Sequence, residues 1–240
     1  MITEENKSSL TAVVTGGGSG IGEAVALALA EAGPAVAILG RDAAKLDAVA
    51  AKHANITGHA CDIADRGKLE ATLADIGRVD IVVSCAGVNI AERSMEAVSA
   101  ESWDFLMEVN ATGAFDVMRC VMPGMRERKS GLVVNVCSLS AKRPGPLGGV
   151  AYNASKYAMA GLGLTAGEED KENGIRVSTV YPGEVETPIL DKRPKPVSKE
   201  HRARILQPSD VAAAVMLIAT LPPRAHIPEL VIKPTTQTYV

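Results

Sequence analysis

The chain has 240 residues, of which 47% are hydrophobic and 22% are charged, so it is long enough to bury a sizeable core. Its net charge of -3 gives no global electrostatic reason to expect binding to nucleic acid or to an anionic membrane. The four cysteines form no C-x-x-C pair, which argues against a zinc site or a disulfide framework. A polar N-terminus and the lack of an apolar run of about 20 residues predict a soluble, cytoplasmic protein.

Short β-branched runs alternate along the chain with longer alanine-rich stretches. The predicted strands cover residues 11–15, 35–39, 56–60, 80–84, 132–136, 175–180 and 229–233. The predicted helices cover residues 21–32, 42–53, 65–76, 101–128, 152–172 and 209–220. The strands lack polar alternation, which is typical of strands covered on both faces. The pattern predicts an α/β fold with a doubly wound, mostly parallel seven-stranded sheet, in one domain over 1–240 with an irregular excursion at 184–208.

A glycine-rich turn follows the first strand and leads into an amphipathic helix, in TAVVTGGGSGIGEAVALALAEAG. Glycines let the backbone approach a pyrophosphate closely, and a helix N-terminus offers free N–H groups. The G-x-G-x-x-G fingerprint fits in no register. The spacing present is T-G-x-x-x-G-x-G, from Thr15, Gly16, Gly20 and Gly22. The flanking strand and helix favour a nucleotide loop over a merely flexible Gly/Ser loop.

With this spacing the chain resembles the short-chain dehydrogenase/reductase family, and further motifs extend the resemblance from about residue 10 to residue 234. The motifs follow in the family's order: Asp62, CAG (85–87), VNATG (109–113), Ser138, YNASK (152–156) and YPGEVETP (181–188). The resemblance implies a Rossmann-like fold. It also implies an oxidoreductase that interconverts an alcohol and a ketone or aldehyde with a nicotinamide cofactor and a small-molecule substrate.

Tyr152 and Lys156 are four residues apart, so they share one face of a predicted helix. Carbonyl reduction needs a proton from the protein, and a tyrosine supplies it only where its phenolate is stabilised. A cation about 4.5 Å away contributes about 3.5 kcal/mol at an effective dielectric of about 20. In isolation, a chance pair on an exposed helix face would explain the same spacing. Tyr157 lies about 100° around the helix and is predicted to pack.

The resemblance assigns four catalytic roles. Tyr152 donates or accepts the proton, and Lys156 stabilises its phenolate and holds the nicotinamide ribose. Ser138 hydrogen-bonds the substrate oxygen, with Ser140 as a competitor nearby. Asn110 holds a water in a proton relay to Lys156.

The resemblance also implies a set of cofactor-binding residues beside Tyr152 and Lys156. They are Gly16, Gly18, Ser19, Gly20, Ile21, Gly22, Arg41, Asp62, Ile63, Cys85, Ala86, Gly87, Pro182, Gly183, Val185 and Thr187. The chain departs from the family at Ser84 and Cys85, where the family usually has asparagines. No metal site is predicted.

The end of the second predicted strand bears on the choice of nucleotide. NAD users typically carry an acidic residue there, but this chain has Gly40 followed by Arg41. A guanidinium suits a 2′-phosphate in charge and geometry. Asp42 is explained as the N-cap of the next helix. NADP(H) is therefore the predicted cofactor, with NAD(H) as second choice.

Three loops after strand ends are expected to select the substrate: 88–95, 140–150 and 184–208, the last of which is a lid in the family. The stretch 191–204 carries six Lys or Arg and two acidic residues, which suits either a solvated face or attraction of an anionic substrate or acyl-carrier protein. A 3-oxoacyl-carrier-protein reductase is the specific alternative, with MRERKSG (125–131) as a second basic patch. A non-catalytic nucleotide-sensing or scaffold protein is the alternative from another class.

Small residues along one side of helix 152–172 allow close approach of another helix: Ala154, Ala158 and Gly161. In the family this helix and 101–128 pair across a dyad, which predicts a homo-oligomer, a tetramer or a dimer. Burial inside the monomer is the competing explanation.

Overall fold

The β-branched runs form a single parallel sheet in the computed structural model, which describes residues 1–238. The strands are β1 (Thr11–Thr15), β2 (Ala35–Gly40), β3 (Ile56–Ala60), β4 (Ile81–Ser84), β5 (Gly131–Val136), β6 (Ile175–Pro182) and β7 (Glu229–Ile232). Their order across the sheet is β3-β2-β1-β4-β5-β6-β7. The predicted Rossmann-like fold is confirmed. The last two residues of the predicted domain lie outside the described residues.

Helices cover both faces of the sheet. Successive strand residues point to opposite sides, so the apolar side chains on each side need a layer of helices to bury them. The helices are α1 (Gly20–Glu31), α2 (Ala43–Ala50), α3 (Arg66–Ile76), α4 (Ala100–Met107), α5 (Gly113–Arg128), α6 (Val150–Asp170), α7 (Lys199–Arg202) and α8 (Pro208–Thr220). Val14 packs in the core that includes α1, α2 and α8, whereas Val13 packs in the core that includes α3, α5 and α6. In the part of the chain described, no helix is both long and apolar enough to cross a membrane.

The predicted helix 101–128 is interrupted at its middle by a π-helical turn over Glu108–Thr112. Asn110 lies in this turn with its side chain fully buried, and the amide bonds groups outside the helix at Val88 and Ser155. Single π turns inside α-helices often mark functional sites. Here the turn directs Asn110 toward the end of β4.

One face of α6 stays uncovered within the chain. Tyr157, which is predicted to pack, is 45% exposed, so it is not fully packed within the described chain. Ala158 and Gly161 are also exposed, and a Cβ at Gly161 would meet no atom within 4 Å. Burial inside the monomer therefore does not explain these two small residues.

Candidate active site

A cleft of about 680 Å³ opens at the carboxyl ends of the strands, where open α/β sheets place their ligands. Every predicted cofactor residue lines it, as do Ser138, Ser140, Tyr152 and Lys156. Asn110 does not line the cleft. The fold thus brings residues from across the chain to one edge of the sheet.

The glycine loop after β1 folds back tightly at one end of the cleft. Gly16 has φ +69°, and a Cβ on Gly22 would lie only 2.2 Å from the carbonyl oxygen of Gly16. The side chain of Ser19, the N-cap of α1, makes no capping hydrogen bond. The first turn of α1 therefore keeps N–H groups for a ligand, and a loop without side chains leaves room for a pyrophosphate.

The turn after β4 is fixed by backbone contacts rather than by the side chains that depart from the family. The N–H of Ala86 donates to Thr15 Oγ1 at 3.1 Å. The buried hydroxyl of Ser84 has no hydrogen-bond partner within residues 1–238. Burial raises the pKa of Cys85 to about 12, against the opposing charge of Lys156. This thiol is therefore protonated at neutral pH.

Tyr152 and Lys156 lie one turn apart on α6, as the spacing predicts. The Lys156 ammonium is 5.9 Å from the centre of the Tyr152 ring and donates to the carbonyl of Val136 at 3.4 Å. Lys156 is only 3% exposed, and no carboxylate of the described chain forms an ion pair with it. Its positive charge is therefore available to stabilise negative charge on a neighbouring oxygen.

The Asn110 amide holds the wall of the site together. Its Oδ1 accepts from the Val88 N–H at 2.8 Å, and its Nδ2 donates to the Val88 carbonyl and to Ser155 Oγ, each at 3.0 Å. Ser155 in turn donates to the Tyr152 carbonyl at 2.8 Å. Asn110 thus ties the loop after β4 to the helix that carries Tyr152.

A small space lies between Asn110 and Lys156, and Gly87 keeps it open. A Cβ on Gly87 would lie 3.4 Å from both Asn110 Oδ1 and Lys156 Nζ. These polar atoms are the kind of partner that an ordered water needs. The water that the family resemblance implies between these residues stays a prediction.

Ser138 is the N-cap of a short turn over Leu139–Ala141. Its Oγ accepts from the Ser140 N–H at 3.1 Å, which leaves its hydroxyl hydrogen for an acceptor in the cleft. An ion pair between Lys142 and Glu229 fastens this turn to β7. Ser140 also lines the cleft, but its backbone serves to orient Ser138.

Two cations, rather than one, follow β2: Arg41 directly after the strand and Lys45 in the first turn of α2. Arg41 is exposed and forms no ion pair within the described chain. Asp42 is the predicted N-cap, since its side chain accepts from the Lys45 N–H at 3.2 Å. Lys45 was not predicted as a site residue. It lines the cleft, and its Cβ lies 3.2 Å from where a Cβ on Gly18 would be.

Two of the six basic residues in 191–204 are paired inside the excursion. Arg193 pairs with Glu184 at 3.3 Å, and Arg202 pairs with Glu186 at 2.7 Å. Four basic side chains stay exposed: Lys192, Lys195, Lys199 and Arg204.

The second basic patch, 125–131, lies away from the cleft. Arg126 makes two hydrogen bonds of 2.7 Å to Asp170, and Arg128 donates to the Val79 carbonyl at 2.6 Å. These residues end α5 and precede Gly131, the first residue of β5, so they lie at the opposite edge of the sheet.

Comparison with known proteins settles the family. A model of the short-chain dehydrogenase family matches residues 10–197. The chain belongs to the short-chain dehydrogenase/reductase family. An uncharacterized oxidoreductase of Staphylococcus epidermidis is 29% identical over 231 residues, which cover 93% of this chain and 96% of that protein.

Solved structures of this family superpose closely. A serine dehydrogenase complexed with NADP+ has a TM-score of 0.89 and 27% identity, covering 96% of this chain and 97% of that chain. A 3-ketoacyl-(acyl-carrier-protein) reductase from Brucella melitensis complexed with NADH has a TM-score of 0.85 and 29% identity, covering 94% and 97%. This short-chain dehydrogenase/reductase is therefore similar to oxidoreductases that bind a nicotinamide nucleotide.

Proposed function

We propose that this enzyme interconverts an alcohol and a ketone or aldehyde with NADP(H), with Tyr152 as the acid/base. The observation that carries the proposal is the buried Lys156 ammonium, which has no carboxylate partner in the described chain and lies one helical turn from Tyr152. The glycine loop at the other end of the same cleft has the form that a dinucleotide needs. A protein that only bound nucleotide would have no use for the phenol of Tyr152.

When bound, the nicotinamide would supply or accept the hydride. Tyr152 transfers the proton at the substrate oxygen, and Ser138 donates a hydrogen bond to the same oxygen. Lys156 stabilises negative charge on the phenol and holds the nicotinamide ribose. A water in the space beside Gly87 links Lys156 to Asn110 and restores the proton.

NADP(H) is the proposed cofactor because of the charges at the end of β2. Arg41 and Lys45 place two cations there, and Gly40 offers no acid to repel a 2′-phosphate. Asp42 is engaged by the N–H and the ammonium of Lys45, the latter at 3.6 Å. NAD(H) is the second candidate.

We further propose one domain with 184–208 as a substrate lid, assembled as a homotetramer in the cytoplasm. Exposed apolar side chains on α4, α5 and α6 support one interface: Trp103, Phe105, Phe115, Tyr157 and Leu164. Leu217 on α8 and Val231 on β7 are exposed on a second surface. The cysteines of the described chain are all free, which agrees with a reducing compartment.

A 3-oxoacyl-carrier-protein reductase is the second candidate, favoured by the similarity to the Brucella melitensis enzyme. The exposed basic residues of the lid, rather than those of 125–131, would then contact the acidic carrier. Kinetics with carrier-linked and free 3-oxoacyl substrates separate the two functions. A large preference for the carrier-linked form would favour the second candidate.

Tyr152→Phe tests the reaction itself. This variant keeps the ring and removes the hydroxyl, so turnover should fall by about 10²-fold or more while the Kd for NADP(H) changes little. Turnover is followed by nicotinamide absorbance and the Kd by fluorescence titration. Tyr157→Phe is the matched control, because this exposed tyrosine is next to Lys156 in sequence but lies outside the cleft. Unchanged turnover in Tyr152→Phe would falsify the mechanism.

A further inference from the structure

Arg93 joins the three loops that surround the substrate end of the cleft. It lies in the loop between β4 and α4, and its guanidinium donates to the Leu147 carbonyl at 2.8 Å and to the Lys192 carbonyl at 2.6 Å. Leu147 belongs to 140–150 and Lys192 to 184–208. The side chain is 8% exposed and lines the cleft. A permanent positive charge is therefore built into the wall of the site.

Nothing in the described chain neutralises this charge. Both acceptors of Arg93 are neutral carbonyls, and its buried Nε has no hydrogen-bond partner within residues 1–238. Arg193 lines the same cleft but pairs with Glu184. Burial and the charge of Arg193 lower the pKa of Arg93. A buried cation without an anion is costly, and a negatively charged ligand would remove that cost.

Main-chain contacts fix Arg93 beside the catalytic helix. Its carbonyl accepts from the Val150 N–H at 3.1 Å, at the first residue of α6. Gly149, with φ +84°, lies so close that a Cβ there would be 2.4 Å from the Cβ of Arg93. Tyr152 follows two residues after Val150 and lines the same cleft as Arg93. Arg93 is thus placed near the reacting group and not at the nucleotide end.

A purely structural role would not need the charge. The two carbonyls need only hydrogen-bond donors, which do not have to carry a charge. We propose that the substrate of this enzyme carries a carboxylate and that Arg93 is the residue that recognises it. This inference rests on the proposed alcohol–carbonyl function, because it assigns the substrate class of that same cleft.

The test is a binding measurement that needs no turnover. Isothermal titration calorimetry compares 3-hydroxybutanoate with 3-hydroxybutanamide on the enzyme saturated with NADPH, and 4-formylbenzoate with 4-formylbenzamide on the enzyme saturated with NADP+, so that hydride transfer occurs in neither pair. A charge-assisted contact corresponds to a preference of about 10- to 100-fold for the acid over its amide. Equal binding of acid and amide, or binding of neither acid, would overturn the inference on the native protein alone.

Two variants attribute the preference to Arg93. Arg93→Gln keeps hydrogen-bond donors but no charge, so the acids should bind about 10- to 100-fold more weakly while the amides and NADP(H) bind as before. Arg93→Lys keeps the charge and should retain a preference for the acids. Lys199→Gln is the matched control, since this exposed lid cation does not line the cleft. An Arg93→Gln enzyme that still prefers the acids would also overturn the inference.

The same titration separates this inference from the proposed reaction. Tyr152→Phe should lose turnover and yet keep the preference for the acids, because Tyr152 is not the source of the positive charge. An enzyme that binds acids selectively but shows no turnover dependent on Tyr152 would leave Arg93 as an anion-binding residue and refute the proposed reaction. Turnover that depends on Tyr152, without any preference for acids, would support the proposed reaction and refute the role of Arg93 in binding a carboxylate.

Discussion

Arg41 is an exposed side chain that faces the cofactor cleft from the end of β2. A guanidinium–phosphate contact is a charge-assisted hydrogen bond of about 1.5 to 3 kcal/mol. Arg41→Ala should therefore weaken NADP binding by about 10- to 100-fold and leave NAD binding almost unchanged. Gly40→Asp should shift the preference further, because an acid repels the phosphate and accepts from a ribose hydroxyl. Equilibrium titration with both nucleotides gives the two Kd values and hence the NADP/NAD ratio.

Salt and a second cation serve as controls for Arg41. The loss of NADP affinity in Arg41→Ala should shrink at high ionic strength, since exposed charges are screened over about 8 Å at physiological salt. Lys52→Ala removes an exposed cation that does not line the cleft and should leave the ratio unchanged. If Arg41→Ala and Gly40→Asp both leave the NADP/NAD ratio untouched, the assignment of these positions is wrong.

Gly87→Ala tests the water between Asn110 and Lys156. An added Cβ would make ordinary 3.4 Å contacts with Asn110 Oδ1 and Lys156 Nζ, so the fold should tolerate it. The methyl group would displace the water and slow proton transfer, and kcat should fall by about tenfold or more. Steady-state kinetics measure the fall in kcat, and NADP(H) titration shows whether cofactor binding has also been lost. Gly67→Ala is the control, because Gly67 lies outside the cleft and a Cβ there meets only Asp65 Oδ1, at 3.8 Å. Equal kcat values in the two variants would argue against the relay.

At the scale of elements, the pair of Arg126 and Asp170 joins the last turn of α5 to the end of α6. Hydrogen bonds from Arg126 hold the pKa of the buried Asp170 below its ordinary value. The stabilising effect of the Asp170 carboxylate is therefore complete above about pH 3.9, the ordinary pKa of an aspartate, and is lost as the pH falls through the lowered pKa of Asp170. Asp170→Asn should reduce the free energy of unfolding by about 1.5 to 3 kcal/mol near neutral pH.

Urea unfolding between about pH 7 and pH 3 checks this pH dependence. The difference in free energy of unfolding between the native protein and Asp170→Asn should become smaller as the pH falls toward about 3. Glu169→Gln is the matched control, since Glu169 is exposed and forms no ion pair in the described chain. A difference that stays constant over the whole range would show that the charge of Asp170 is not what stabilises the helix pair.

The strands were predictable to within two residues because most of them are short runs rich in valine and isoleucine. The π turn at Glu108–Thr112 was not, because contacts of Asn110 with Val88 and Ser155 hold it and apolar periodicity does not report them. The burial of Arg93 was equally hidden. Its acceptors are 54 and 99 residues away in the chain, so only the folded loops bring them together.

At the scale of the whole molecule, the exposed apolar face of α4, α5 and α6 predicts self-association. Sedimentation should give about four times the chain mass of 25.0 kDa. Ala158→Glu places a charge on the exposed side of α6 and should yield smaller species, because a buried unpaired charge is costly. Lys52→Glu should leave the mass unchanged, because Lys52 follows α2, which packs on the opposite face of the sheet from α5 and α6. A single 25.0 kDa species of the native protein would reject the oligomer.

The π turn also sets the helical phase of α5 relative to α4. Leu106 and Ala114 are eight residues apart, which is about 80° in a regular helix at about 100° per residue, but both are buried. One residue absorbed by the turn reduces that offset to about 20°, and it brings the exposed Trp103 and Phe115 from about 120° to about 20°. Regularising Glu108–Thr112 into an α-helix without deleting a residue would rotate α5 by about 100°, turning its buried stripe away from the sheet, whereas deleting one residue there would remove the turn and keep α5 in phase with α4.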